Sequence, residues 1–160
     1  MKYSVLLHNI RSVHNVGSVF RTADAAGFDH IYLSGYTPEP VDRFGRERSD
    51  LHKVALGAEN TVSWSSFVYI DEAISSLQEK GVYIIAVEQS HESFDYRKLG
   101  ELEIPSSEVV LVMGEETKGI ESEILSRVNS VVELPMRGEK ESLNVSVAFG
   151  VVAYEVKRTE

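Results

Sequence analysis

The chain of 160 residues contains no cysteine, which excludes a disulfide framework and any thiolate-ligated metal. It has no apolar run near the ~18 uninterrupted residues that a membrane-spanning helix requires. The opening Met1-Lys2-Tyr3-Ser4-Val5-Leu6-Leu7-His8 is too short in its apolar part for a secretory signal and shows no small-residue cleavage site. Internal repeats, low-complexity tracts and linkers are also missing. The five histidines (His8, His14, His30, His52 and His91) show no H-x-x-x-H or other close ligand spacing, so no metal site is expected. A G-x-S-x-G elbow, which would mark a hydrolase, is absent. These absences lead us to expect a soluble, cytoplasmic chain with neither a membrane nor a metal among its partners.

What is present suits one domain spanning 1–160, since 42% hydrophobic residues can fill one sizeable core. The formal charge of −9 argues mildly against nucleic acid, because phosphate contacts need clustered Lys and Arg. The charge is uneven, however. Residues 101–123 hold seven carboxylates and one base, Lys118, whereas Arg43, Arg46, Arg48 and Lys53 lie within eleven residues, beside His52 and against Glu47 and Asp50. A local basic patch on an acidic body is compatible with this pattern.

Tyr3–Leu7, Ile31–Leu33, Val82–Val87, Val109–Met113 and Val131–Leu134 are short, nearly continuous β-branched runs, as in strands of a parallel sheet covered on both faces. A weaker sixth strand lies within Thr61–Ile70. From Asn15, the residues Val16, Val19, Phe20 and Ala23 repeat at helical spacing, and Gly27 is a natural stop. Asp71–Lys80 reads as a helix capped by its carboxylate and ended by Gly81, and 144–157 as a helix apolar on almost all sides. The alternation predicts an α/β domain with a mainly parallel sheet and helices on both faces. Pro38–Arg48 and Gln89–Ser107 are the expected long loops.

Three polar motifs stand where an apolar run ends or a helix begins. The first is Asn15-Val16-Gly17-Ser18-Val19-Phe20-Arg21, in which Asn15 suits a helix cap, Gly17 a close backbone approach, and Arg21 a solvated helix face. The second, Gly114-Glu115-Glu116-Thr117-Lys118-Gly119-Ile120, follows a strand, where α/β proteins bind ligands. It is neither a P-loop nor G-x-G-x-x-G, and its paired carboxylates suit a cationic or hydroxyl-bearing ligand better than a phosphate. The third, Ser142-Leu143-Asn144-Val145-Ser146-Val147-Ala148, opens the last helix, with Ser142 or Asn144 as its cap.

In this order the three motifs resemble the signatures of the SpoU/TrmH branch of the SPOUT methyltransferases, and they span residues 15 to 148. The resemblance implies transfer of a methyl group from S-adenosylmethionine to a ribose 2′-hydroxyl of RNA, with tRNA favoured over rRNA and no RNA-binding extension. It implies Arg21, Asn15, Glu116, Ser142 and Asn144 as the catalytic set. The cofactor would lie against Val87, Gly114, Leu134, Met136, Ser142 and Leu143. Glu115 matches the variable position of G-x-E-x-x-G and is expected to be a solvated acid. The family often carries Thr or Ser just after the strand ending at Val87, whereas Glu88 and Gln89 stand here. Also implied are a C-terminal trefoil knot over about 82–156 and a homodimer through the helix after Asn15 and the helix at 144–157. Arg21 is either a base in a dry site or an electrostatic stabiliser of the alkoxide, and an arginine with a pKa above ~12 makes a poor literal base. The rival reading is a SPOUT-like RNA-binding or dimer-forming module without catalysis.

Overall fold

The computed structural model describes residues 1–159, and Glu160, the last residue of the expected domain, lies outside the described residues. Seven strands form one sheet: β1 (Lys2–His8), β2 (His30–Ser34), β3 (Ser63–Phe67), β4 (Tyr83–Val87), β5 (Phe94–Asp95), β6 (Glu108–Met113) and β7 (Ser130–Glu133). Their order is β3-β2-β1-β6-β4-β7-β5, and every neighbouring pair is parallel. The helices are α1 (Val13–Ala26), α2 (Ser49–Ala55), α3 (Ala58–Thr61), α4 (Ile70–Glu79), α5 (Ser122–Leu125) and α6 (Val145–Arg158).

Side chains of a strand alternate between faces, and both faces here are apolar. Val5 and Leu7 of β1 point into a core shared with Val16, Val19 and Phe20 of α1 and Phe149, Val152 and Val156 of α6. Leu6 points the other way, into a second core with Ile70, Ile74 and Leu77 of α4 and Ile124 of α5. This double burial is why the strands read as continuous rather than alternating runs. The expected α/β architecture, with a parallel sheet and helices on both faces, is therefore present.

Several boundaries differ from the sequence reading. Asn15 is not the cap of α1; Ser12 is, accepting a hydrogen bond from the Asn15 backbone N–H at 3.2 Å. Gly27, with φ of 73°, ends the helix as expected. Asp71 is not a cap either: α4 starts at Ile70, and Asp71 instead accepts a bond from Arg127 Nη1 at 2.7 Å. The stretch 89–107 contains β5 and a 3-10 turn at Tyr96–Glu101, and the stretch 38–48 contains an antiparallel bridge between Val41 and Glu47. Gly17 does allow a close approach. A Cβ there would lie 2.9 Å from Cβ of Val54 and 3.0 Å from the Leu51 carbonyl, so α1 and α2 touch along their backbones.

Candidate active site

The carboxyl ends of β4, β6 and β7 open into a cleft of about 310 Å³. Strand ends of this kind carry the ligands of open α/β sheets because the loops leaving them are free to diverge. All six residues expected at a cofactor (Val87, Gly114, Leu134, Met136, Ser142 and Leu143) line this one cleft, as does Glu116. Its walls also carry Glu88, Glu115 and Glu141, and no Lys or Arg is among the lining residues. Four carboxylates with no Lys or Arg in the lining disfavour a phosphate and favour a cation.

The loop that follows β6 is folded back on itself. Gly119 N–H donates to the Glu115 carbonyl at 2.9 Å, and the turn requires a positive φ of 68° at Gly119. A Cβ on Gly114 would meet Ile120 Cγ1 at 2.5 Å and the Gly119 carbonyl carbon at 2.6 Å, so only glycine fits at this point of the cleft wall. Glu88 braces the same loop: its carboxylate accepts from the Ile120 N–H at 2.9 Å and from the Gln89 N–H at 2.8 Å. The sequence reading used Val87 alone from this segment and missed Glu88. The departure from the family's Thr or Ser was the signal that could have found it.

Glu116 ties this loop to the start of α1. Its carboxylate accepts from the backbone N–H groups of Arg11 at 3.3 Å and Ser12 at 3.4 Å, and from Asn15 Nδ2 at 3.1 Å. Partial burial works against the charged form of Glu116. Hydrogen bonds from its own backbone N–H, the Asn15 amide and the N–H groups of Arg11 and Ser12 together outweigh it, and the carboxyl titrates below its usual range. Asn15 then passes the connection on, since its Oδ1 accepts from Asn144 Nδ2 at 3.0 Å. Asn144 caps α6, its Oδ1 taking the N–H groups of Ser146 at 2.9 Å and Val147 at 3.3 Å. One chain of side-chain bonds thus links all three motifs. Ser142 borders the cleft and does not cap the helix.

One expectation needs correction. Glu115 is not a solvated acid; its side chain is only 9% exposed, accepts from Thr117 Oγ1 at 3.1 Å and faces Arg11 Nη2 at 3.8 Å. The Asn15 side-chain amide is engaged by Glu116 and Asn144. Within one chain Arg21 does not join the cleft at all. It is exposed, in a separate depression with His14, Ser18, Thr22, Lys53 and Val54. Elsewhere, Glu47, His52 and Glu59 bring ligand-type atoms within 4.8 Å of one another, a grouping that histidine spacing alone does not reveal. His52 binds the buried Glu59 there, and that hydrogen bond raises the imidazole pKa.

The model of the SpoU rRNA methylase family matches residues 2–154. The chain belongs to this family. It is 34% identical over 154 residues to the 23S rRNA (guanosine-2'-O-)-methyltransferase RlmB of Ralstonia nicotianae, an alignment covering 96% of this chain and 57% of that one. Among solved family structures it resembles an AdoMet-bound rRNA methyltransferase from Sinorhizobium meliloti, with a TM-score of 0.86, 28% identity and coverage of 98% of this chain and 56% of that one. A structure described for 2-OH methylation of C/U34 on tRNA matches with a TM-score of 0.79 and 26% identity, covering 99% of this chain and 95% of that one. The chain therefore spans less than two thirds of these two rRNA-directed relatives but nearly all of the C/U34-directed structure.

Proposed function

We propose that this chain transfers a methyl group from S-adenosylmethionine to a ribose 2′-hydroxyl of RNA, with ribosomal RNA as the substrate. The observation that carries the reading is the hydrogen-bonded union of the three motifs beside one acidic cleft. The cleft fits this cofactor by its chemistry: carboxylates match a sulfonium, an ammonium and ribose hydroxyls, and the Gly114 wall leaves backbone within reach of a ligand. When bound, S-adenosylmethionine supplies a methyl carbon made electrophilic by positive sulfur. Leu134 and Met136 would bound the adenine, Gly114 and Leu143 the rest of the cofactor, and Ser142 and Asn144 the mouth where the ribose enters. Held there, the cofactor would offer that carbon to the ribose oxygen, and the chain's part would be to orient the hydroxyl while its proton passes to solvent. Chain groups that hold the oxygen in line and stabilise its developing charge lower the barrier.

Arg21 is the group we assign to that charge, and it acts from a second copy of the chain. Arg21 lies exposed on α1, and Leu143, Val147 and Tyr154 are exposed large side chains at and along α6, which packs beside α1. A two-fold pairing over these helices buries that apolar surface and brings the partner's guanidinium toward the cleft. Such an interface should cover at least ~1,200 Å² in total. The trefoil knot over about 82–156 belongs to the same proposal; insertion of β6 between β1 and β4, with β7 beyond β4, supports it. We place the reaction in the cytoplasm; among the described residues no helix is long and apolar enough to cross a membrane.

Ribosomal RNA replaces tRNA as the leading substrate because of the 23S rRNA-directed relatives. The tRNA reading stands second, favoured by the match over nearly the whole length of the C/U34-directed structure. Incubation with methyl-tritiated S-adenosylmethionine and separated rRNA and tRNA decides between them. We expect label in rRNA, in dinucleotides that survive alkali, since a methylated 2′-oxygen cannot cleave its own phosphodiester. Label confined to tRNA would select the second reading. A chain that binds S-adenosylmethionine to neither RNA's benefit would leave the non-catalytic module.

A further inference from the structure

We propose that the tip of the loop between β2 and α2 is a docking platform for an unpaired RNA base, with Phe44 as the stacking surface and Arg43 and Arg46 beside it for the phosphates. The proposal rests on the RNA-methyltransferase reading and answers how so acidic a chain could hold RNA. Phe44 is 67% exposed, the most exposed aromatic side chain among the described residues. Its ring lies against two guanidinium groups, with Arg43 Cζ at 4.8 Å and Arg46 Cζ at 5.0 Å from the centroid.

The tip is built to stay in place. Asp42 Oδ1 accepts from the N–H groups of Phe44 at 2.8 Å and Arg46 at 2.9 Å, and the Asp42 N–H donates to the Arg46 carbonyl at 2.8 Å. Gly45, at a φ of 76°, closes the turn, and Val41 pairs with Glu47 across its base. A large aromatic ring held out on this turn contributes little to folding, because most of its apolar surface stays in water. It gains when a base stacks on it, and stacking is tolerant of sequence because every base has a flat face.

The surroundings select the occupant. The ring's neighbours in the turn are Asp42, Arg43, Gly45 and Arg46, charged or without a side chain, whereas the centre of a protein interface is depleted of charge. Arg46 Nε is held by Asp42 Oδ2 at 2.9 Å, whereas Arg43 has no acidic partner among the described residues and is available for a phosphate. Tyr36 of the same loop, 50% exposed, forms a second aromatic–arginine pair with Arg11 of the segment between β1 and α1, whose Cζ lies 5.9 Å from its ring. Arg11 adjoins Glu115 of the cleft loop, and α2, which leaves the other end of the loop, carries Lys53 into the depression of Arg21. The loop that bears the platform thus meets Arg11, a neighbour of the cleft loop, through Tyr36, and runs into the helix that lines the depression of Arg21.

The test uses fluorescence anisotropy of a fluorescein-labelled single-stranded RNA and of the same sequence annealed into a duplex. Phe44→Ala should weaken binding of the single strand about five- to a hundredfold, leave the duplex nearly unchanged, and be rescued by Phe44→Trp. Arg43→Ala should reduce the slope of log affinity against log salt by about one. S-adenosylmethionine affinity, read by calorimetry, should not move in any variant. If Phe44→Ala held the single strand within about twofold of the wild type, while the wild type methylated RNA, the platform would be wrong and the enzyme reading intact. Loss of methylation and cofactor binding in the wild type itself would instead strike the enzyme reading. A variant that kept RNA affinity but changed sedimentation would assign Phe44 to a protein contact and overturn the proposal.

Discussion

Asn15 and Asn144, 129 positions apart, share a hydrogen bond of 3.0 Å, and each also fastens a different motif. Asn15 holds the Glu116 carboxylate, and Asn144 holds the first N–H groups of α6. Removing either side chain therefore loosens two elements at once.

For Asn144→Ala the cap alone is worth about 0.5–2 kcal/mol. The shared bond adds roughly 0.5–1.5 kcal/mol, and a double-mutant cycle with Asn15→Ala isolates it. Urea unfolding of the four proteins checks both figures. Full additivity would show that the two amides do not act on each other.

Gly114→Ala should destabilise by about 1–3 kcal/mol, because a Cβ would overlap the returning loop. The same change should weaken S-adenosylmethionine binding, since the loop that must give way lines the cleft. Thermal unfolding and calorimetry report the two effects separately.

Arg21→Ala should lower turnover about 10²-fold or more with cofactor affinity almost unchanged, and Arg21→Lys should rescue little. Ser142→Arg fills the cleft and should abolish cofactor binding. Neither variant should work alone, but their mixture should. Random mixing makes half of the dimers mixed, each with one intact site of two, so activity should return to about a quarter of wild type. An inactive mixture would place Arg21 and the cleft of the same chain at one site.

Glu116 titrates below its ordinary value of 4.5 in the folded chain. A depressed carboxyl stabilises the fold fully above its unfolded pKa, and the contribution is lost as pH falls through the folded one. Wild type and Glu116→Gln should therefore differ in urea midpoint at neutral pH and converge in acid below the usual carboxylate range. A difference that grew in acid would contradict the sign.

The sheet was legible because its strands are buried on both faces, so Val109–Met113 and its neighbours appear as unbroken β-branched runs. Strand β5 was not, since two residues, Phe94 and Asp95, carry no periodicity. Helix α2 was hidden because Leu51 and Ala55 are its only buried residues among polar neighbours. The cleft was legible through motif resemblance, which reached Leu134 and Met136 although neither residue type announces a site. Glu115 was misread because sequence shows a carboxylate but not the Arg11 and Thr117 that enclose it. The distance between Arg21 and the cleft was equally invisible: helical phase places Arg21 off the apolar stripe but does not say which cavity lies beneath it.

The position of β6 between β1 and β4 has a consequence for how the chain emerges during synthesis. Strand β1 can pair with β2 early, but its other edge stays open until residues 108–113 have been made. Asn15 and Glu116 then wait for Asn144. An unpaired edge of Val5 and Leu7 is a template for any passing strand. We expect nascent chains stopped before residue 108 to associate with chaperones, and chains stopped between 114 and 144 to be compact yet unable to hold the cofactor.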